Sequence, residues 1–238
     1  ENGATMKLKT LFAGLAMIVS SNMYAADIGV GLKAGTLGAG VDISMALTQT
    51  INARLSLSKF SRDRSETLNI NDANNTATID STLNVDFGSV AILFDWYVFD
   101  GTFHLTGGFL KNSSSIDLTG RITDANVVFN GTPYNVASEF QDPNLSASIS
   151  FGNSLQPYLG VGWGRKADDD PGFSVSFELG VVLLDPSVDL KAPVISGTST
   201  STQAELDSDV NAAEASANEE LSDLELWPVI SLGLNYAF

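Results

Sequence analysis

Short stretches of this chain alternate apolar and polar residues with a period of two, and beyond the N-terminal segment no stretch approaches the roughly eighteen consecutive apolar residues of a membrane-spanning helix. Strands must therefore carry its hydrophobicity. Residues 28–34 place Ile28, Val30, Leu32 and Ala34 on one face and Gly29, Gly31 and Lys33 on the other. Residues 37–46 set Leu37, Ala39, Val41, Ile43 and Met45 against Gly38, Gly40, Asp42 and Ser44, and residues 51–59 set Ile51, Ala53, Leu55 and Leu57 against Asn52, Arg54, Ser56 and Ser58. Further candidates at 83–98, 102–111, 156–164, 173–184 and 226–238 predict eight strands in all. The connections at Thr48–Thr50, Phe99–Gly101 and Arg165–Gly172 are short, whereas 61–82, 112–155 and 185–225 are long. Short turns at one end and long loops at the other are the pattern of an antiparallel transmembrane β-barrel. The connection at Gly35 and Thr36 is an unusually tight outer turn for such a barrel.

Charge and hydropathy narrow the class. The chain has 12 Lys+Arg against 28 Asp+Glu, a formal charge of −16, yet its mean hydropathy is positive, +0.11. Strongly acidic and strongly apolar regions must coexist, which is unusual for a soluble acidic domain. Nucleic acid is disfavoured as a partner, because no basic stripe can be assembled from this balance. There is no Cys, so disulfides and thiolate metal sites are excluded.

Met6, Lys7 and Lys9, the apolar run Leu11 to Val19, and the small residues ending at Ala25 and Ala26 read as an export signal peptide. The expected division is therefore 1–25, upstream residues and signal peptide, and 26–238, the barrel domain. Without residues 1–25, which hold Glu1, Lys7 and Lys9, 10 basic residues face 27 acidic ones, or −17.

Aromatics gather at the proposed inner strand ends: Trp96, Tyr97, Phe99, Phe103, Trp163, Phe173, Tyr236 and Phe238. Amphipathic rings favour the headgroup level, so they predict a membrane girdle. In the final WPVISLGLNYAF, Ile230, Leu232, Leu234, Tyr236 and Phe238 share the outward face, and Leu232, Leu234, Tyr236 and Phe238 resemble the C-terminal signal read by the barrel assembly machinery. The other expected partners are outer-membrane lipid and lipopolysaccharide, and small-molecule solutes.

The long loops carry local signals. VVFNGTPYNV sets two β-prone runs about Asn130-Gly131, a type I′ hairpin. Residues 203–224 place Leu206, Val210, Ala213, Ala217, Leu221 and Leu224 three or four apart, an amphipathic helix with a capping box from Thr202 and Glu205. Its apolar face is expected to pack at the barrel mouth.

If the apolar positions face lipid, the alternate ones are forced inward: Lys33, Asp42, Arg54, Asp95, His104, Tyr158, Glu178 and Asn235. A charge on the lipid face near mid-bilayer costs about 2–4 kcal/mol. Arg54 and Asp95 fall at equal height on neighbouring strands, with His104 level on the next, so a paired network is expected. It either satisfies buried charge and holds the barrel closed, or lines a narrow polar path. Eight strands enclose an interior that side chains fill, whereas open porins need about sixteen, so a wide pore is excluded.

No catalytic group, metal site or cofactor is expected. The one histidine, His104, could be imagined in a Ser/His/acid arrangement with Asp95 and Thr106, but it lies near the inner rim, far from outer-leaflet lipid. DDDPG at 168–172 lacks the spaced ligands of a calcium loop, and GVGLKAGTLGAG opens no helix and is not a nucleotide fingerprint.

QPYLGVGWG at 156–164, the run from Gly180 to Leu190, the acidic helix leading through Leu226-Trp227-Pro228-Val229, and FNGTPYN together resemble the CarO family of carbapenem-susceptibility-associated outer-membrane proteins. The resemblance is strongest over 126–238. It implies an eight-stranded barrel with a closed lumen and slow influx of small solutes, namely basic amino acids and some β-lactams. The alternatives are a non-conducting structural or interaction barrel whose acidic extracellular loops bind a surface partner, and a membrane-embedded hydrolase.

Overall fold

The computed structural model describes residues 28–238 apart from 72–75, 100, 125, 130–131, 136–139, 153, 168–169 and 196–199. The signal-peptide reading therefore lies outside the described residues, as do Asn130, Gly131, Asp168 and Asp169. The strands are β1 (Ile28–Gly35), β2 (Gly38–Thr48), β3 (Ile51–Asn71), β4 (Thr76–Tyr97), β5 (Phe103–Asn112), β6 (Ser115–Ile122), β7 (Asn126–Phe129), β8 (Thr132–Asn135), β9 (Phe140–Asp142), β10 (Asn144–Ser150), β11 (Leu155–Trp163), β12 (Gly172–Leu183), β13 (Ser187–Lys191), β14 (Val194–Ile195) and β15 (Leu226–Ala237), with one helix among the described residues, α1 (Thr200–Ser222). That helix is not apolar enough to cross a membrane.

Eight of these strands close a ring. Antiparallel pairing runs β1–β2–β3–β4–β5–β11–β12–β15 and returns to β1 through the register Gly29↔Ala237 to Gly35↔Ser231. These are the eight segments that the alternation predicts, and closure leaves no unpaired edge in the wall. The tight first turn is real. Gly35 pairs with Gly38 across Thr36 and Leu37, and Gly38 takes a φ of +101°, where a side chain would be strained.

The two faces of the wall separate as period-two patterning requires. Leu232 is 59% exposed and Ile92 57% exposed on the outside, in a belt with Leu57, Phe94, Phe109 and Leu159, while Asp95 and Glu178 are buried within. Around the inner rim, rings meet in pairs: Phe103 lies 5.3 Å from Trp163, Phe173 4.9 Å from Tyr236, and Tyr236 4.9 Å from Phe238. Tyr97 departs from the expected girdle. Its odd-numbered position on β4 turns it into the barrel, where it is buried and its hydroxyl donates to Arg165 O.

Beyond the lipid belt, much of what reads as long loops is sheet. β3 and β4 remain paired without interruption from Ile51↔Trp96 to Asn71↔Thr76. The outer half of β4 pairs with β6, β6 with β10, and β10 with β13. Parity is kept along β4: the lipid-facing series Phe94, Ile92 and Val90 continues as Asp86, Asn84, Thr82 and Asp80, so the exterior turns polar where the strands leave the bilayer. The inward face stays apolar and buries Ala77, Ile79, Ile122 and Phe140. β7 and β8 pair as the expected hairpin, with Phe129 opposite Thr132.

The helix docks differently from the sequence expectation. Its contact is polar and lies on the free edge of β13, not at the barrel mouth. Val188 N donates to Asn218 Oδ1 at 2.8 Å, Asn218 Nδ2 donates to Val188 O at 3.0 Å, and Leu190 N donates to Glu214 Oε2 at 2.9 Å. Two side chains thus stand in for a missing strand. The reason is that β13 carries unpaired backbone groups, and satisfying them outweighs burying the small, Ala-rich apolar stripe.

An Ile92→Arg substitution is expected to cost about 2–4 kcal/mol in vesicle-based unfolding, whereas Ser61→Arg, on the polar exterior above the belt, stays within about 0.5 kcal/mol. Asn218→Ala is expected to speed amide exchange at Val188 without slowing barrel assembly, read by hydrogen-exchange mass spectrometry.

Candidate functional site

The centre of the barrel is a connected set of charges contributed by five strands. Arg54, on β3, sits among three carboxylates. Its Nε and Nη2 donate to the two oxygens of Asp95 at 2.9 Å each. Nη2 also reaches Glu178 Oε2 at 2.5 Å, and Nη1 reaches Asp42 Oδ2 at 3.4 Å. Lys33 Nζ lies 3.1 Å from Asp42 Oδ1 and donates to Ser56 Oγ. Tyr158 donates its hydroxyl to Glu178, and Thr106 donates to Asp95 Oδ1 at 2.7 Å. Six of the eight residues that strand alternation turns inward thus touch one another. Asn235 stands apart, donating to Ser176 Oγ at 2.8 Å, and His104 lies beside the set, stacked 4.9 Å from the ring of Tyr97.

The local reason is geometric. Asp95 faces Asn52 on one neighbouring strand and Thr106 on the other, so Arg54, two residues along from Asn52, reaches Asp95 diagonally. Glu178 comes from the far wall of the ring, which the bidentate Asp95–Arg54 pair bridges across the lumen. The Arg54 and Glu178 side chains are only 11% and 9% exposed. Taking these charges out of water is costly unless every one is paired, and here each is.

The cavities along the axis are small and separate. Below the network, toward the aromatic rim, lies a cavity of about 50 Å³ walled by Arg54, Asp95, His104, Arg165 and Lys166. Above it lies one of about 20 Å³ reaching Lys33, Ser58 and Val229. Since a water needs roughly 10–15 Å³, these have room for a few waters and not for an amino-acid-sized solute. Nearer the outer mouth apolar side chains dominate the lumen. Ala91, Leu93, Leu110, Val182 and Val229 form a buried layer, capped by Phe87, Phe151 and Trp227 with ring centres 5.4–6.0 Å apart. Sequence reasoning missed this plug. Trp227 occupies the inward parity of β15, a signal that was present, but Phe151 enters from the break between β10 and β11, which alternation cannot place.

The arrangement does not form a nucleophilic relay. Thr106 gives its proton to Asp95 instead of to the imidazole, and His104 Nδ1 faces the Thr102 carbonyl at 3.3 Å instead of a carboxylate. The geometry suits charge storage and closure of the lumen.

Replacing Arg54 with Met is expected to destabilise the barrel by about 3–5 kcal/mol, because three buried carboxylates lose their shared partner. Adding Asp95→Asn to that variant recovers part of the loss. A double-mutant cycle in vesicle-based urea unfolding reads both.

No protein-family model and no curated protein matches this sequence. Solved structures do match. The crystal structure of Acinetobacter baumannii CarO2 aligns over 89% of this chain and 98% of its own, with a TM-score of 0.52 at 14% identity. That of Acinetobacter baumannii CarO aligns over 88% of this chain and 97% of its own, with a TM-score of 0.49 at 18% identity. An eight-stranded ring, an apolar exterior and a fold shared along nearly the whole of CarO2 lead to one statement: this chain folds as a closed antiparallel β-barrel similar to that of CarO2.

Proposed function

We propose that this protein resides in the bacterial outer membrane and admits small solutes slowly, through a lumen that opens only transiently. The observation that carries the reading is a sealed but ionic centre. A barrel needed only as a scaffold is served as well by an apolar interior, since replacing a buried ion pair with packed hydrophobic groups is often neutral or stabilising. Here Arg54, Lys33 and three carboxylates sit between two water-sized cavities. Passage requires Arg54 to exchange partners and the Phe87, Phe151 and Trp227 plug to part.

The solutes proposed are basic amino acids and, more slowly, β-lactams, as the family resemblance implies. A strongly acidic chain raises the local concentration of cations at its surface. Leu232, Leu234, Tyr236 and Phe238 serve as the assembly signal for the barrel machinery, and the apolar belt meets outer-membrane lipid and lipopolysaccharide.

A second reading is supported by the extracellular sheet. β2 pairs with β3 only as far as Lys59, so residues 60–71 present a free strand edge above the membrane. A non-conducting barrel that binds a surface partner through its outer segments would use such an edge.

Liposome swelling separates the two. Purified protein is expected to admit lysine or ornithine faster than protein-free vesicles, and Trp227→Ala, which shortens the plug, is expected to raise the rate several-fold. Swelling no faster than the lipid control for both proteins removes the transport reading.

A further inference from the structure

We propose that Asp95, His104 and Glu178 form a binding site for one divalent transition-metal cation, of the zinc type, on the floor of the ion-paired centre. A carboxylate oxygen of Asp95, a ring nitrogen of His104 and a carboxylate oxygen of Glu178 lie within 4.8 Å of one another, and all three residues are buried. One imidazole with two carboxylates is a donor set that zinc accepts in three-ligand sites with a remaining open position.

The imidazole is prepared for this role. His104 Nδ1 lies 3.3 Å from Thr102 O, and a carbonyl only accepts, so this contact favours the tautomer with its proton on Nδ1 and its lone pair on Nε2. Ligating histidines commonly fix their tautomer in this way, through a carbonyl on the other nitrogen. Nε2 itself makes no hydrogen bond. It stays clear because residue 162 is glycine: a Cβ there would lie 2.4 Å from Nε2.

Arg54 does not saturate the carboxylates. A carboxylate offers about four lone pairs; Glu178 uses one for Tyr158 and one for Arg54, and Asp95 Oδ2 accepts only from Arg54 Nε. A further observation points to a ligand. Asn52, 2% exposed on the wall of the same cavity, has an Oδ1 with no hydrogen-bond partner. Charge agrees as well, since two cations, Lys33 and Arg54, meet three carboxylates in the contact set. Arg165 and Lys166, the other cations on the cavity wall, are engaged with Asp170 O and over the Tyr97 ring. The site stands whether or not the barrel conducts.

The chain makes the test clean, because it has one His and no Cys, so any imidazole-ligated metal must be held by His104. Protein without a histidine tag, folded in detergent micelles, is incubated with Zn²⁺, desalted and assayed by elemental mass spectrometry. One equivalent is expected to remain, falling about tenfold or more in His104→Gln. With Cu²⁺ in place of Zn²⁺, pulsed electron paramagnetic resonance is expected to show coupling to a single imidazole. In the unsubstituted protein, Zn²⁺ is expected to shield His104 from acylation by diethylpyrocarbonate, a readout that does not depend on the variant folding. Equal retention by a folded His104→Gln protein, absent imidazole coupling, or unshielded acylation would each overturn the site and leave binding by surface acids only.

Discussion

Every feature of the wall follows from the fact that a bilayer interior offers no water to backbone N–H and C=O groups. Each must be satisfied within the protein, and for strands that means a ring without edges. Closure through β1–β15 and β4–β5 supplies it. Once the ring is closed, residue parity decides solvent. Odd positions of β3, such as Leu55 and Leu57, meet lipid, while the even positions Asn52, Arg54, Ser56 and Ser58 turn into a narrow interior. Eight strands leave space for side chains and a few waters, so polar groups placed there have to satisfy themselves, and Arg54 among Asp42, Asp95 and Glu178 is how they do so.

Above the membrane the constraint relaxes and the architecture changes with it. The same strands run on past Lys59 and Gly88 as an open sheet, since backbone exposed there can bond to water. An open sheet has edges, and the two are handled differently. β13 is covered by Asn218 and Glu214 of α1. The β3 edge carries Arg62, Asp63, Arg64 and Glu66, charges that discourage indiscriminate pairing with other strands. The polar exterior begins at a level marked by Lys59 and Lys111, directly above Leu57 and Phe109, so the change of solvent is written along single strands.

The barrel was legible because alternation against lipid is strict: a slip of one residue would turn Arg54 and Asp95 outward. The sheet beyond the apolar belt was not legible for the complementary reason. Residues 61–71, such as Asp63, Ser65 and Thr67, face water on one side and are exposed on the other, so no hydrophobic period marks them as strand. The inward residues of the network could be named from parity, and their rough height from distance to the strand ends. Beyond the Arg54–Asp95 pair, which of them touch could not. Glu178 meets Arg54 only because β12 lies across the ring from β3, and the Phe151 and Trp227 plug exists only because a strand break and a strand start converge at the mouth.

By itself the sequence determined which side chains face lipid and which face inward, since parity is a local property of an extended chain. Tertiary structure decided the further partnerships: Glu178 and Asp42 joining Asp95 around Arg54, a His104 ring nitrogen near Asp95 and Glu178, and α1 on the edge of β13. Ring closure brings Glu178 to Arg54 from 124 positions away, and contacts between separate elements leave no period in the sequence.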